Sequence, residues 1–450
     1  MLLVRTTLFF GCALCLIAQT DTPQPDTSQT SAGEEYSGPA ILSRGDTPNA
    51  QAKTPMAFRP YIGLSAIYDT GLVPLSLTPA GQIPTTDEYG VELNLGAYTY
   101  RAWKHTTLSL DYRSNFRHYS NSLWDGTDQL LSLALTHKPT RRITITLRNS
   151  AGTFKQNYLP GSTPGASDGY LQLPQNDIYY NRVIFLSTSA DLTYQQSARL
   201  SFNFGGEGNL ISRQSAALYG MTGAVAHADM QYRFTRHTTL GVDYRFTHYS
   251  YTRSFGTADI HSVGLNLSTQ FSPHVQFSVR AGGARVESLS LTQVTLDPAI
   301  AALLGVSQGI QAAYRLNYVP DVQARLTDSF RRSQFSLIYS DAVSPGNGVY
   351  LTSRNNTGTA SYSYSGLHYW NFGVDTTYGR LSAILQTIGA YTTYGAGAGA
   401  TRELGKGLHA VLRIDARHYN VNSEAAFKHT EYRATLGFDY SPGEVPLRLW

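Results

Sequence analysis

Five arginines recur at matching places along this chain. Arg113, Arg148, Arg245, Arg280 and Arg413 each stand about seven residues beyond a short polar or basic turn. Asp111, Asp243 and Asp415 lie two residues from three of them. The same alternation offers Asp229-x-Gln231-x-Arg233, Asp321-x-Gln323-x-Arg325 and Glu431-x-Arg433. A guanidinium and a carboxylate two residues apart share a face in a strand, whose side chains alternate. Such groups can do two things. They can pair, neutralise each other and brace a wall. Or they can present charge to a passing ion, as rings of charged side chains do. Arg148 and Arg280 have no carboxylate two residues earlier, so the second use predicts a weak preference for anions.

The elements that would carry these groups repeat. KHTTLSLDYR at 104–113 returns as RHTTLGVDYR at 236–245. Leu108, Leu110 and Tyr112 fall on one face, and Ser109, Asp111 and Arg113 on the other. The pattern restarts with RITITLRNS from Arg142, ARLSFNFGG from Ala198, HVQFSVRAGG from His274 and LHAVLRIDARHY from Leu408. A short turn precedes each restart. The other ends of the segments run into longer connections: Asp69–Glu88, Lys155–Asn181 and Glu287–Gly309, with DPAIAALLG reading as a short helix inside the last. Short turns alternating with long loops predict an up-and-down antiparallel meander. The segments number about 18, with 16 as the alternative, against about ten for an open twisted sheet. The fold class is therefore all-β, a closed barrel.

Which face meets which solvent follows from composition. Charged residues are only 15% and aromatics 12%, with 31 Tyr. Arg and Asp occupy strand centres on the polar face, where a wide wet interior holds them. Aromatic pairs such as Tyr112/Phe116, Tyr244/Phe246, Tyr232/Phe234 and Phe438/Tyr440 lie toward segment ends on the apolar face. That is the inverted arrangement of a transmembrane β-barrel, with aromatic girdles and an apolar band toward lipid. Beyond the N-terminus no apolar run approaches 18 residues, so helical spans are not expected.

Residues 1–18 read as a secretory signal, with Arg5 ahead of the apolar run Leu8–Ala18. Residues 19–56, rich in Pro, Ser, Thr and Asp, read as a disordered periplasmic linker. The barrel occupies 57–450. Cys12 and Cys15 both lie in the signal, so the mature chain would lack disulfides, thiolate metal sites and a cysteine nucleophile. The twelve histidines form no tight cluster with Asp or Glu, so no metal site is expected. His105, His237 and His274 sit at short turns. His118, His248 and His418 follow the repeated strands on the apolar face and read as interfacial. Ser, Asp and His show no catalytic pairing, so no enzyme is expected. The net charge of +4 without a dense basic block gives no reason to invoke nucleic acid. The Gly-rich AYTTYGAGAGAT at 390–401 lacks the Lys-Ser/Thr ending of a phosphate loop and falls in a strand pattern, where Gly eases bending or close packing.

The restarting pattern, the signal, the absence of mature cysteines and the terminal Trp450 together resemble bacterial outer-membrane β-barrels. Among these the chain is similar to loosely defined groups of porin-like barrels of Gram-negative bacteria. The resemblance implies an outer-membrane location, contact with outer-membrane lipid, insertion by the barrel assembly machinery, and passive diffusion of small polar solutes without a cofactor. Arg113, Arg148, Arg245, Arg280, Arg413, Asp111, Asp243, Asp415, Asp229 and Arg233 would line its pore. Two alternatives stand beside it: a surface-binding barrel with a closed lumen, and a polysaccharide or lipid export channel with periplasmic partners. Ser441-Pro442-Gly443 and Pro446 interrupt the tail, so the last strand is expected to stop near Tyr440. The sequence leaves monomer and trimer both open.

Overall fold

The computed structural model describes residues 56–72, 85–155, 181–253, 255–295, 308–384, 390–421 and 427–442. They form eighteen strands. In chain order these are β1 (Met56–Leu72), β2 (Thr86–Ala102), β3 (Thr106–Tyr119), β4 (Gly126–His137), β5 (Ile143–Phe154) and β6 (Val183–Gln195). Next come β7 (Leu200–Arg213), β8 (Gly220–Arg233), β9 (Thr238–Thr252), β10 (Gly256–Gln270), β11 (Val275–Thr295) and β12 (Gln308–Ser329). The last six are β13 (Ser333–Ser344), β14 (Ser353–Leu367), β15 (Trp370–Ala383), β16 (Tyr391–Gly405), β17 (Leu408–Val421) and β18 (Phe427–Tyr440). Each pairs antiparallel with the next, and β1 pairs with both β2 and β18, so the sheet closes. Closure gives backbone donors and acceptors partners within the wall, which lipid cannot supply.

The short turns have a common cause. Thr140, Ser197, Thr235 and Ser272 each stand three residues before the first residue of the next strand. The Thr235 hydroxyl oxygen accepts from the His237 and Thr238 amides at 3.2 and 2.9 Å. Ser197 accepts from Arg199 and Leu200, Ser272 from His274 and Val275, and Thr140 from Arg142 and Ile143. A hydroxyl that caps two amides turns the chain and restarts the ladder. This is the physical basis of the repeated restarts. One of the two two-residue turns, Lys406-Gly407, uses Gly407 at φ +77°, where its missing side chain leaves room for the Ser441 carbonyl.

Contacts between non-adjacent strands identify the inner face. Arg245 on β9 meets Asp321 on β12, and Arg413 on β17 meets Asp375 on β15. Arg433 on β18 meets Glu92 on β2. Strands two or three apart can touch only across the concave side. The alternate residues face out and are apolar: Leu64, Leu265, Ile414 and Leu436 are each more than half exposed. Trp103, Phe234, Phe271 and Phe330 rim the short-turn end, and Tyr89, Tyr318 and Tyr394 stand toward the other. Arg101 lies over Trp103 at 4.8 Å and Arg402 over Trp370 at 5.3 Å. An apolar belt bounded by aromatics is a lipid-facing surface. Among the described residues no helix is long and apolar enough to cross a membrane.

One long connection is shorter than the sequence suggests. Within Glu287–Gly309, β11 runs on to Thr295 and β12 begins at Gln308. Their outer portions pair residue for residue, Glu287 with Leu316 through to Thr295 with Gln308, because Ser288, Leu289 and Leu291 continue the alternation past the charged pair at Arg285 and Glu287. The expected helix at Asp297–Gly305, most of Lys155–Asn181, the N-terminal segments and Trp450 lie outside the described residues. β18 ends at Tyr440, as the Pro-Gly that follows it predicts.

Candidate functional site in the barrel interior

All ten residues expected on a pore wall lie on the inner face, but they form separate networks and not one ring. Arg113 pairs with Asp111 on its own strand, at 2.7 Å. Arg413 does the same with Asp415 at 2.8 Å and adds Asp375 at 2.6 Å. Asp243 and Arg245 depart from that pattern. Asp243 instead grips Arg280 of β11 through both carboxylate oxygens, at 2.9 and 2.6 Å. Arg245 turns to Asp321, which also holds Arg280 at 2.7 Å. Arg280, without an acid two residues before it, thus receives two carboxylates from other strands. Asp229 accepts from Asn203 and Gln231. Arg148 lies opposite Ala134 and Ser189, and Arg233 opposite Thr239 near the short-turn rim.

A further network was singled out from the sequence only at Arg433. Arg433 meets Glu92, and Arg117 meets Asp128. The Tyr119 hydroxyl donates to Asp69 at 2.5 Å, and Asn115 donates to Asn94 at 2.9 Å. These side chains come from β1, β2, β3, β4 and β18, where the closing seam lies. The signal for it was present: Arg117 follows Arg113 by four and shares its face, and Glu92-x-Asn94 repeats the polar alternation.

Glycines make room for these long side chains. A Cβ at Gly264 would stand 2.8 Å from Asp243 and 2.9 Å from Arg280. One at Gly397 would collide with Arg413, Asp415 and Asp375. Gly397 belongs to AYTTYGAGAGAT, so that run is a slot in β16 over which the Arg413 network lies.

The interior is not polar throughout. Toward the long-loop end, Phe154, Phe185, Ile211, Tyr249, Ile260 and Val286 belong to one buried cluster spread over β5 to β12. The β13–β14 connection enters this region. Residues 345–352 form a strap across the interior. Gly346 and Gly348 take φ +78° and +94°, and the Asn347 side chain caps the Val349 and Tyr350 amides at 3.2 and 3.0 Å. On one side the Tyr219 amide donates to the Gly348 carbonyl at 3.0 Å, and the hydroxyls of Tyr251 and Thr352 meet at 2.9 Å. Leu351 joins the cluster just named. On the other side Tyr350 packs with Leu381, Tyr391 and Tyr419 of β15, β16 and β17. The strap therefore touches both halves of the wall. Its signal was an apolar Val349-Tyr350-Leu351 directly after the turn-forming Pro345-Gly346-Asn347-Gly348. A loop pointing into water has no use for three such residues together.

Histidines at the long-loop rim face outward, each with one partner. His118 meets Asp125 at 2.9 Å, His248 meets Asp259 at 2.6 Å, and His418 meets Thr430 at 2.8 Å. Desolvation, the largest single influence on the Asp125 carboxyl, raises it. The Tyr119 amide, His118 and Lys155 together outweigh it and hold the group below its ordinary value. Among the described residues no group of three or more His, Cys, Asp or Glu could hold a metal ion.

No protein-family model matches the chain, and no curated protein does. Solved structures of bacterial outer-membrane channels are similar to it at low identity. Pseudomonas aeruginosa OpdQ is 13% identical, with 85% of this chain and 98% of that chain covered and a TM-score of 0.41. Acinetobacter baumannii OccAB4 is 12% identical, with 87% and 100% covered and a TM-score of 0.41. Pseudomonas aeruginosa OccK2 (OpdF) in complex with glucuronate is 13% identical, with 86% and 98% covered and a TM-score of 0.42. The fold assignment for this chain rests on its own closed register.

Proposed function

We propose that the chain is an outer-membrane channel of porin type. It passes small polar solutes without catalysis, by size exclusion and local charge. Its short turns lie in the periplasm and its long loops outside the cell. The observation that carries this reading is the inversion of the wall: charged networks inside an eighteen-strand closure, an apolar belt outside. A barrel of this strand number leaves room for water. Most inner arginines are tied to carboxylates, which favours bracing over a strong filter. The strap favours a second reading, a closed surface barrel, because it is anchored on both sides of the interior.

Planar-bilayer recording separates the two. The folded, purified chain is expected to give stable conductance steps. A folded but silent barrel would sink the channel reading in favour of the closed one. Asp111 is the carboxylate to remove for selectivity, since its side chain is a quarter exposed and Arg113 is its partner. Asp111→Asn takes this carboxylate from Arg113 on the inner wall. In a salt gradient the reversal potential should move toward greater anion preference. An unchanged reversal potential would place Arg113 off the ion path.

A further inference from the structure

Among the described residues the shortest seam of the wall lies between β12 and β13, at eight pairs against nine for β1–β18 and for β4–β5. β12 is 22 residues long, yet only Val322 to Ser329 pair with β13, from Asp341 to Gln334. These eight pairs are the fewest of any seam, against 21 between β11 and β12. From Asp321 outward to Gln308, β12 is paired with β11 alone. On the far side Ala342, Val343 and Ser344 pair with β14 and not with β12, and the chain then turns inward as the strap. A notch opens between β12 and β13 where the seam stops.

Its height matters. Leu326 and Phe277 pair across β11 and β12 near the short-turn rim. Pro320 is six residues above Leu326, or about 16 Å at about 3.4 Å per residue and 40° tilt. The apolar band of such barrels is about 25 Å tall. On β6 the outward apolar residues run from Tyr194 to Ile184, which by the same measure is about 26 Å. Beside the notch the band is cut short. Asp341 and Arg354 face outward there and pair at 2.5 Å, with Asn356 bonded to Tyr339 at 3.1 Å. Arg354, its side chain 43% exposed, thus meets lipid at a depth where other strands are still apolar, with Asp341 buried behind it.

Three further features bear on what uses the notch. Outside, Tyr318 and Leu316 stand exposed on the free part of β12 about 21 and 26 Å above Leu326, at the upper edge of the band, and Tyr314 and Ile310 continue this apolar stripe above it. Inside, a cavity of about 20 Å³ lies at the notch, between Arg245, Tyr249 and Ile260 of the wall and Val343, Ser344 and Pro345 at the root of the strap. The Ser344 hydroxyl is buried there without a hydrogen-bond partner. Tyr249 and Ile260 belong to the apolar inner cluster. An apolar stripe outside, a polar pair at the opening and an apolar lining inside form a continuous sequence of surfaces.

We propose that the β12–β13 notch is a side port, through which small amphiphiles pass between the leaflet at the long-loop end and the barrel interior. The apolar body follows the β12 stripe and meets Tyr249 and Ile260 inside. The polar head is met by Arg354, which Asp341 holds in place. The strap root, Ala342 to Pro345, closes the port in this structure. The port depends on the barrel's seat in the bilayer and not on conduction, so a silent barrel would leave it intact.

Two inward-facing positions on one strand test it. Ser340 lies where the seam is paired, opposite Gln323, and Ala342 lies just beyond. Each is changed singly to cysteine in a full chain carrying Cys12→Ser and Cys15→Ser, in lipid nanodiscs. The probe is a lysophosphatidylethanolamine with a maleimide on its head, and mass spectrometry follows the adduct. Outward-facing Tyr339→Cys confirms that the probe reaches the wall. The lysolipid should label Ala342→Cys several-fold faster than Ser340→Cys, and Val343→Trp in the Ala342→Cys chain should slow it. A water-soluble maleimide should show no such difference between the two. Equal lysolipid rates at Ser340→Cys and Ala342→Cys, or no effect of Val343→Trp, would overturn the port.

Discussion

Replacing Gly346–Leu351 with a short Gly-Ser link is expected to raise single-channel conductance by roughly two-fold or more, since the strap obstructs a barrel wide enough to hold water. The strap reaches from β13 and β14 to Tyr219 and Tyr251 on one side, and it packs against β15 to β17 on the other. Its removal should leave the barrel folded, because none of the eighteen seams runs through it. The loss is the burial of Tyr350 and Leu351, about 1.5–3 kcal/mol for each. A milder version keeps the backbone and changes one anchor. Tyr350→Ala removes the ring that packs on Tyr391 and Tyr419, so the strap should loosen and its conductance should flicker between two levels. If both variants match the parent in step size and noise, the strap does not narrow the path. Heat-modified mobility on a gel checks that each variant is folded.

The barrel was legible because the wall is written in local code. A period of two, a Ser or Thr ahead of four of the restarts, and aromatics at segment ends are all readable within about ten residues. Strand number followed from counting, since up-and-down topology pairs each segment with its neighbour. The inner face was also legible as a set of residues, because parity alone decides it once the strands are known. What parity does not contain is register across three or four strands. Nothing near Arg245 in the chain indicates Asp321, 76 residues away. The pairing depends on the stagger of β9 through β12, which places Asp243 level with Gly264, then Gly282 and Asp321. The two glycines in that row let the side chains cross. Arg413 was different: Asp415 is in its own strand, so half of its network was visible, and Asp375 was not.

The strap and the notch were illegible for a related reason. Both arise where a connection leaves the wall, and local alternation is silent about direction once pairing stops. The chain at 345–352 reads as a turn-rich loop, as do its neighbours. Only its apolar triplet marks it as inward, and that reading requires knowing that the opposite wall offers Leu381, Tyr391 and Tyr419. The length of β11 and β12 was misread for the opposite reason. Charged Arg285 and Glu287 look like the end of a membrane strand, and they pair at 2.6 Å on the outer face while the ladder continues beyond them.

Asp321 is the inner carboxylate whose loss should cost most. It is about 1% exposed and holds both Arg245 and Arg280. Asp321→Leu leaves Arg245 buried without this carboxylate and takes one of two from Arg280, which keeps Asp243. Removing one partner of a buried ion pair typically costs about 3–5 kcal/mol. The urea midpoint of the barrel refolded in lipid vesicles should fall accordingly. Asp321→Asn retains an acceptor oxygen for one guanidinium and should lose less, about 1–3 kcal/mol. The contrast is Glu287→Gln on the outer face. There Arg285 is nearly half exposed, so loss of the pair should cost about 1 kcal/mol or less. This ordering tells a brace from a filter. If the inner networks hold the wall, Asp321→Leu destabilises it far more than Glu287→Gln, and selectivity shifts only as far as the barrel survives. If Asp321→Leu unfolds at the parent midpoint while anion preference rises, the carboxylate was shaping the ion path and the wall stands without it.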